Sequence, residues 1–198
     1  MSDLEAAYRL ILHEAESHGS GCALVGGFAV SVRTEPRFTR DIDLVVAVAD
    51  DAAAEEIVAA LIGLGHEMYA SVEQTDTGRL ATSRLRLREG QLVDLIFASS
   101  GIEFEIVEQA EVLEVLPGIN VRVASVGHLI ALKLLDRDDE TRPQDVVDLR
   151  SLVAAADAAD LGTARRSTDA IVTRGYGRGR DLVADLDKWV ERQDLSDT

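Results

Sequence analysis

Two aspartates stand two positions apart at the start of a β-branched run, Asp41 and Asp43 in the segment DIDLVVAV (41–48). On a β-strand, side chains at this spacing point to the same face, so the two carboxylates lie close together. Their repulsion is on the order of 4 kcal/mol at an effective dielectric constant of about 20, and packing alone does not select such a pair. Mg²⁺ and Mn²⁺ prefer hard oxygen ligands and would remove the repulsion. The pattern predicts a divalent-cation site; an exposed strand start, with both acids facing water, is the alternative.

Possible phosphate-binding groups precede these aspartates in the chain. Gly26 and Gly27 end a short apolar run (22–27). Glycine lets a phosphate reach backbone N–H groups, and a helix that starts there adds its positive end, although a tight turn would also explain the pair. Further hydrogen-bond donors beside the acids are the side chains of Arg37, Thr39 and Arg40.

A third aspartate, Asp94, lies inside the apolar run LVDLIFA (92–98). A charge inside a central strand is unfavourable unless it is paired or bound to a metal. If the strands that carry Asp43 and Asp94 are neighbours in one sheet, Asp94 completes a triad with Asp41 and Asp43. The order and spacing of these features indicate a cation site more strongly than any one of them does.

Helix and strand patterns must position these residues. We predict helices over 4–17, 51–63, 126–137 and from 143 onward, and strands over 22–27, 41–48, 82–89, 91–99 and 118–125. The strands 82–89 and 91–99 form a hairpin. This order predicts an α/β (α+β) fold, a mixed sheet flanked by helices, with a core unit over 1–122 and a helical C-terminal region over 123–198.

Arginines are concentrated in two further places. Arg84, Arg86 and Arg88 share one face of the strand 82–89, which is either a solvated face or a surface that meets phosphate. The segment RGYGRGR (174–180) interrupts the C-terminal helical pattern and is typical either of a loop between helices or of a single-strand binder.

Composition narrows the class of protein. The chain has 198 residues, 46% of them hydrophobic, which is enough for a sizeable core and excludes a disordered chain. Its 20 basic and 36 acidic residues give a formal net charge of −16, which opposes general binding to nucleic acid. A single cysteine, Cys22, excludes an internal disulfide and a zinc site built on several thiolates. We see no signal peptide or membrane-spanning segment and therefore expect a cytoplasmic protein without a membrane partner.

The glycine pair, the pattern R-x-T-x-D-x-D (37–43) and the later apolar-D-apolar strand together resemble the DNA polymerase beta-like nucleotidyltransferase superfamily, over about residues 20–98. The resemblance implies a nucleotidyltransferase-type mixed sheet, with Asp41 and Asp43 holding two Mg²⁺ ions that bridge a nucleoside triphosphate. It also implies that Asp94 binds the second metal and helps to activate the attacking hydroxyl. Gly27 stands where many members have a serine that touches a phosphate, so the γ-phosphate would be bound by backbone groups and Lys133.

A second segment, LIALKLLDRDDETRPQDVVDL (129–149), is similar to the K-x-x-x-R … D-x-x-D-L segment of the AbiEii/MenA group of nucleotidyltransferase toxins. Lys133 and Arg137 are four positions apart on one predicted helix, and Asp145 and Asp148 three apart on the next. The resemblance implies that all four bind the nucleotide, with Lys133 on the triphosphate and Asp145 or Asp148 orienting it. An ion-pair network between two packed helices is the other interpretation.

These resemblances imply an enzyme that moves an NMP unit from an NTP substrate to an acceptor hydroxyl with Mg²⁺ or Mn²⁺. The acceptor would be a tRNA 3′ end, with a neutralising antitoxin as a partner, or a hydroxyl of a protein or a small molecule. Two alternatives stay open: a catalytically silent relative that binds nucleotide and regulates a partner, and an antibiotic-modifying transferase. Convergence of Asp94 on Asp41 and Asp43 separates an enzyme from the silent relative.

Overall fold

The computed structural model describes residues 3–35, 41–138 and 143–196. Helices and strands follow one another through this part of the chain in the order α1 (Asp3–Ser17), β1 (Gly21–Val25), α2 (Gly26–Arg33), β2 (Ile42–Ala47), α3 (Asp51–Gly63), β3 (Glu67–Glu73), β4 (Leu80–Arg86), β5 (Leu92–Ile96), α4 (Glu103–Glu108), β6 (Glu111–Leu116), β7 (Ile119–Val123), α5 (Val126–Asp136), α6 (Pro143–Ala155), α7 (Ala158–Thr173) and α8 (Leu182–Ser196).

The strands form one seven-stranded sheet in the order β3-β4-β5-β2-β1-β7-β6. Strand β2 pairs antiparallel with β1 and parallel with β5, while β4 and β5 are antiparallel. The sheet is therefore mixed and flanked by helices, which confirms the predicted fold class. The central pairing of β2 with β5 is the feature that positions the site, because it joins the two strands that carry aspartates.

The centre of the sheet is covered on both faces. Residues 22–25 of β1 and 44–47 of β2 are buried without interruption, which is the pattern of central strands that have helices on each side. Helix α2 packs on β1, β2, α5 and α6, whereas α1 packs on β1 and α3. One hydrophobic core runs through these layers from Tyr8 in α1 to Trp189 in α8. The division of the chain after residue 122 stays a prediction, and that point lies within β7.

Most of the predicted elements are confirmed, the sequence alone leaves α2 open between a helix start and a turn, and three elements were not predicted. The predicted helix over 51–63 is α3, and the predicted hairpin over 82–99 is β4–β5. Strand β3, helix α4 and strand β6 are the additional elements. Every residue of β3 is exposed, so its sequence lacks the alternation of apolar and polar residues that marks a half-buried strand.

Candidate active site

Three charged side chains lie in a row across three neighbouring strands. The register of the sheet pairs Asp43 of β2 with Asp94 of β5, and Asp94 with Arg84 of β4. Residues paired directly across adjacent strands project from the same face of a sheet. Asp94 therefore lies beside Asp43, as the sequence predicted, but it has a basic neighbour on its other side.

Arg84 binds Asp94 through a two-pronged contact. Its Nε donates to Asp94 Oδ1 and its Nη2 to Asp94 Oδ2, each at 2.6 Å. The same Nη2 lies 3.9 Å from Asp41 Oδ2, at the start of β2. A guanidinium that uses two parallel N–H groups on one carboxylate is a strong and directional partner. Arg84 is therefore neither a simply solvated residue nor a cation left free for phosphate, the two interpretations that the sequence had left open.

The carboxylates of this row influence one another. The pKa of Asp43 is raised to about 6, first by its burial and then by the negative charges of Asp94 and Asp41. Lys133 and Arg84 act in the opposite direction on the same carboxyl. The hydrogen bonds to Asp94 in turn raise the pKa of the Arg84 guanidinium. The three acids thus form one electrostatic cluster in which positive charge is favoured.

Gly26 brings the start of α2 directly against Asp43. Its φ of +65° lies in the left-handed region, and a Cβ atom built on it would be 1.9 Å from Asp43 Oδ2. Only glycine satisfies both conditions. The helix begins here without a side-chain cap on its first N–H groups, since Val25 occupies the N-cap position. Gly26 and Gly27 therefore place a helix N-terminus, which favours anions, beside the acidic cluster.

A second ionic cluster connects α5 and α6. Lys133 Nζ donates to Asp145 Oδ1 at 2.6 Å and lies 2.8 Å from Asp148 Oδ2. Burial lowers the pKa of Lys133, but the hydrogen bonds to Asp145 and Asp148 and the negative charges of these two residues together raise it. Asp145 Oδ2 is buried and has no hydrogen-bond partner within the described part of the chain. The ion-pair network that the sequence offered as the alternative is therefore present, and it faces the same cavity as Asp43.

The remaining predicted phosphate-binding residues are placed differently. Helix α5 ends at Asp136, and Arg137 is its C-cap, with its backbone N–H bonded to the carbonyl of Lys133. Its guanidinium lies 5.7 Å from the centre of the Trp189 ring on α8, a cation–π distance. The predicted donors from the segment before β2, which lie outside the described residues, are Arg37, Thr39 and Arg40.

A cleft of about 880 Å³ joins the two clusters. Its wall includes Val25, Gly26 and Gly27 at the start of α2, and apolar side chains such as Leu129. The charged residues that line it are Asp43, Glu73, Arg84, Asp94, Lys133, Asp136, Asp138, Asp145 and Arg178. Six of these nine are acidic, so the cleft is negative before any ligand enters.

Arg178 is a cleft residue that sequence reasoning did not single out. It belongs to the RGYGRGR segment, where its Nη1 donates to Asp136 Oδ1 at 2.8 Å and its Nη2 to Ser99 Oγ at 3.3 Å. In the same segment, Arg180 donates to the carbonyls of Leu135 and Arg137. The loop interpretation of the segment is correct, and its arginines hold the loop against the end of α5.

The acidic cluster has the donor chemistry of a divalent-cation site. Three carboxylates supply hard oxygen atoms, and the missing side chain of Gly26 leaves the space that the Asp43 carboxylate occupies. As the side chains stand, however, no group of three or more His, Cys, Asp or Glu among residues 3–35, 41–138 and 143–196 could hold a metal ion. The donors fit such an ion in kind, while both oxygens of Asp94 are bound to Arg84.

Comparison with known proteins places the chain in a family. Residues 9–197 match the family model described as nucleotidyl transferase AbiEii toxin, Type IV TA system. The chain belongs to this family. It is therefore an enzyme of the nucleotidyltransferase class, as the resemblance predicted. No curated protein sequence matches it.

Two solved structures of other proteins have a similar fold. The antibiotic-resistance factor ANT(2'')-Ia is 20% identical, with 86% of this chain and 92% of that chain covered and a TM-score of 0.53. The antigenic nucleotidyltransferase-like protein from Paracoccidioides brasiliensis is 19% identical, with coverages of 96% and 92% and a TM-score of 0.50. At 20% and 19% identity, the similarity of these two structures to this chain is evidence for a shared fold only. None of this chain's described helices has the length and apolar character needed to cross a bilayer.

Proposed function

We propose that this enzyme transfers an NMP unit from an NTP to an acceptor hydroxyl, with Mg²⁺ or Mn²⁺ held by Asp41, Asp43 and Asp94. The observation that carries the proposal is the pairing of Asp43 with Asp94 on β2 and β5, directly beside the N-terminus of α2. Divalent ions in such a site stabilise charge on the attacking and leaving oxygens of an in-line displacement. The same pairing argues against a catalytically silent relative.

The protein's own groups have distinct parts in this proposal. The backbone N–H groups at Gly26 and Gly27 bind the triphosphate, because the uncapped start of α2 favours negative charge. Arg37, Thr39 and Arg40 supply further donors, as the sequence motif implies. These groups hold the α-phosphorus in line with the acceptor oxygen, and exclusion of water from the buried side of Asp43 limits hydrolysis.

The helix cluster completes the nucleotide site. An ammonium group has three donors, and Lys133 uses two of them on Asp145 and Asp148, which leaves one for a phosphate oxygen. Of the two carboxylates, Asp145 is the better candidate to orient a substrate hydroxyl. Asp145 is among the residues that line the cleft, whereas Asp148 is not among them and also accepts from Gln144 Nε2 at 3.0 Å. Arg137 follows Lys133 at the end of α5, with its guanidinium over the Trp189 ring, and the resemblance assigns it to the nucleotide as well.

The acceptor is the least constrained part of the proposal. Membership of a family of Type IV toxin–antitoxin nucleotidyltransferases favours an RNA 3′ end, such as that of tRNA, and an antitoxin partner. The excess of acidic side chains in the cleft favours a second candidate, a cationic small molecule with a free hydroxyl. Electrostatic complementarity attracts such a molecule and opposes entry of a polyanion until cations offset the charge.

Transfer of label from an NTP tests the proposal. Each of the four α-³²P-labelled NTPs is incubated with the protein, Mg²⁺ and either total tRNA, protein extract, an aminoglycoside mixture or no acceptor. We expect label on one acceptor class, and a loss of at least about 10³-fold in rate for Asp43→Asn and Asp94→Asn. Asp187→Asn on α8, which removes an exposed carboxylate, is the control. Wild-type rates in Asp43→Asn would refute the mechanism, and tRNA and aminoglycoside labelling distinguish the two acceptors.

A further inference from the structure

The proposed cation site already contains a cation of the protein's own. The Nε and Nη2 groups of Arg84 donate to the two carboxylate oxygens of Asp94, and Nη2 also lies 3.9 Å from Asp41 Oδ2. Resting on the function proposed above, we propose that Arg84 is an exchangeable counter-ion: it holds Asp94 in the metal-free enzyme and must release it before a divalent cation binds. Arg84 is a positioning residue. Its release couples metal binding to a movement of the Arg84 guanidinium within the cleft.

Competition follows from the positions of the atoms. Both Asp94 oxygens accept hydrogen bonds of 2.6 Å from Arg84, so each lone pair that faces the guanidinium is unavailable to an ion. A divalent cation on Asp43 and Asp94 would also lie a few ångström from the positive charge of Arg84, and like charges at that distance repel strongly in a partly buried site. Metal and guanidinium therefore compete for the Asp94 carboxylate in this arrangement.

The backbone fixes which groups compete, while the side chain is free to move. Arg84 and Asp94 are directly paired on adjacent strands, and Asp94 is directly paired with Asp43, so the sheet holds the three Cα positions in register. The Arg84 side chain is 36% exposed and lines the open cleft. Rotation about its side-chain bonds can carry the guanidinium away from Asp94 without any change in the sheet.

The released guanidinium remains useful to the site. It stays on the cleft-lining face of β4, opposite the start of α2 where the triphosphate is proposed to bind. A guanidinium matches the geometry of phosphate oxygens as well as that of a carboxylate. Arrival of a metal–nucleotide complex thus offers Arg84 a new anion as it loses Asp94, which makes metal binding stronger with nucleotide than without it.

A permanent brace is the competing interpretation, and it predicts the opposite sign. If Arg84 only orients Asp94, removal of the guanidinium disorders a ligand and weakens metal binding. If Arg84 competes with the metal, removal strengthens binding. The direction of one affinity change therefore distinguishes the two.

The experiment measures Mn²⁺ affinity without nucleotide, by calorimetry and by the electron paramagnetic resonance signal of free Mn²⁺. We expect Arg84→Gln to bind Mn²⁺ up to about fivefold more tightly than the wild type, a change of the size that follows from removing one partly exposed charge contact. Arg84→Lys keeps the charge but loses the paired contact and should fall between them. The matched control is Arg86→Gln, two residues along β4, where the guanidinium lies 5.1 Å from the Tyr69 ring centre and does not contact Asp94.

Unchanged or weaker Mn²⁺ binding by Arg84→Gln relative to the wild type overturns the proposal, and so does an equal gain in Arg86→Gln. A measurement on the unmodified protein avoids the case in which the variant does not fold. In the NMR spectrum of the wild type, the Arg84 Nε–H resonance, shifted by its bond to Asp94, should disappear or move as Mg²⁺ saturates the site. Its persistence at saturation contradicts release. If Asp43→Asn loses Mn²⁺ binding and NMP transfer but Arg84→Gln shows no gain in Mn²⁺ affinity, the exchange is rejected and the proposed function is retained.

If the wild type shows neither Mn²⁺ binding nor NMP transfer, both the exchange and the proposed function are rejected.

Discussion

Two clusters face the same cleft, each with one basic side chain among carboxylates, and they differ in burial. In the sheet cluster of Arg84, Asp41, Asp43 and Asp94, the Arg84 side chain is 36% exposed, Asp41 is 49% exposed and Asp94 is 14% exposed. In the helix cluster of Lys133, Asp145 and Asp148, the Lys133 side chain is 14% exposed and Asp148 only 1%. A buried ion pair cannot separate without leaving a charge in a dry environment, whereas an exposed one can. The ion pairs of the helix cluster therefore fix α5 to α6, whereas the ion pair of Arg84 with Asp94 in the sheet cluster remains exchangeable.

The largest effect on stability should come from breaking the buried helix cluster. Lys133→Met leaves Asp145 and Asp148 without their cation, and loss of one partner from a buried pair typically costs about 3–5 kcal/mol. Urea denaturation followed by circular dichroism measures the change. Lys188→Met is the control, because Lys188 is 62% exposed and its contact with Asp185 Oδ1 is 3.1 Å. Equal losses for the two variants would show that burial does not distinguish the clusters.

Substitution of Gly26 tests whether the Asp43 carboxylate of the sheet cluster can move away from the start of α2. Gly26→Ala forces a left-handed backbone on a residue with a Cβ, at about 1–2 kcal/mol, and places that atom 1.9 Å from Asp43 Oδ2. We expect a total loss of stability of about 2–3 kcal/mol and a large loss of NMP transfer, since Asp43 must move. Gly63→Ala, where an added Cβ meets nothing within 4 Å, should have little effect on either. Wild-type transfer in Gly26→Ala would mean that the position of Asp43 is not critical.

The sheet cluster was largely predictable from sequence, because strand geometry is regular. A period of two residues places Asp41 and Asp43 on one face, and an aspartate inside an apolar run indicates a central strand next to them. The partner of Asp94 was not predictable in the same way. Three arginines alternate along 84–88, and only the register of β4 against β5 decides that Arg84, rather than Arg86, is opposite Asp94.

The helix cluster shows where sequence reasoning fails. The spacing of Lys133 and Arg137 predicted a shared helix face beside the nucleotide, but it gave no sign that Arg137, the C-cap of α5, would lie over the Trp189 ring. That end depends on tertiary contacts, since Arg180 from a distant loop donates to the carbonyls of Leu135 and Arg137. Arg178 was missed for the same reason: its position against Asp136 results from packing across 42 residues of chain.

The pH dependence of stability tests whether the protein interior around the start of α5 excludes water, as burial of His128 indicates. His128, in the first turn of α5, is 1% exposed, and burial lowers its pKa to about 4. The unfolded chain binds a proton near pH 6.5 and the folded chain only near pH 4, so stability is lost as the pH falls through this window. Between pH 7 and pH 5 we expect the wild type to lose about 2 kcal/mol more than His128→Gln.

Two comparisons isolate that contribution. The raised pKa of Asp43 acts in the opposite direction, since a carboxyl that ionises near pH 6 when folded destabilises the protein as the pH rises from about 4 to 6. The difference between the wild type and His128→Gln cancels this effect, because both retain Asp43. His13→Gln, at an exposed position of α1, should follow the wild type. Parallel pH profiles of wild type and His128→Gln would contradict the buried, neutral state of His128.

The smallest effect on stability should come from substitution of Arg84, the exposed basic side chain of the sheet cluster. Arg84→Gln removes a contact that is partly open to solvent, so we expect a loss of about 1 kcal/mol or less in dilute buffer and a smaller one in high salt, where screening weakens the contact in the wild type. Saturating Mn²⁺ should then stabilise Arg84→Gln by more than it stabilises the wild type, since a ligand that binds the folded state more tightly raises its stability more. Thermal melts with and without Mn²⁺ measure both. A loss as large as that of Lys133→Met would instead make the Arg84–Asp94 contact a fixed part of the fold, with the two clusters differing in exposure but not in function.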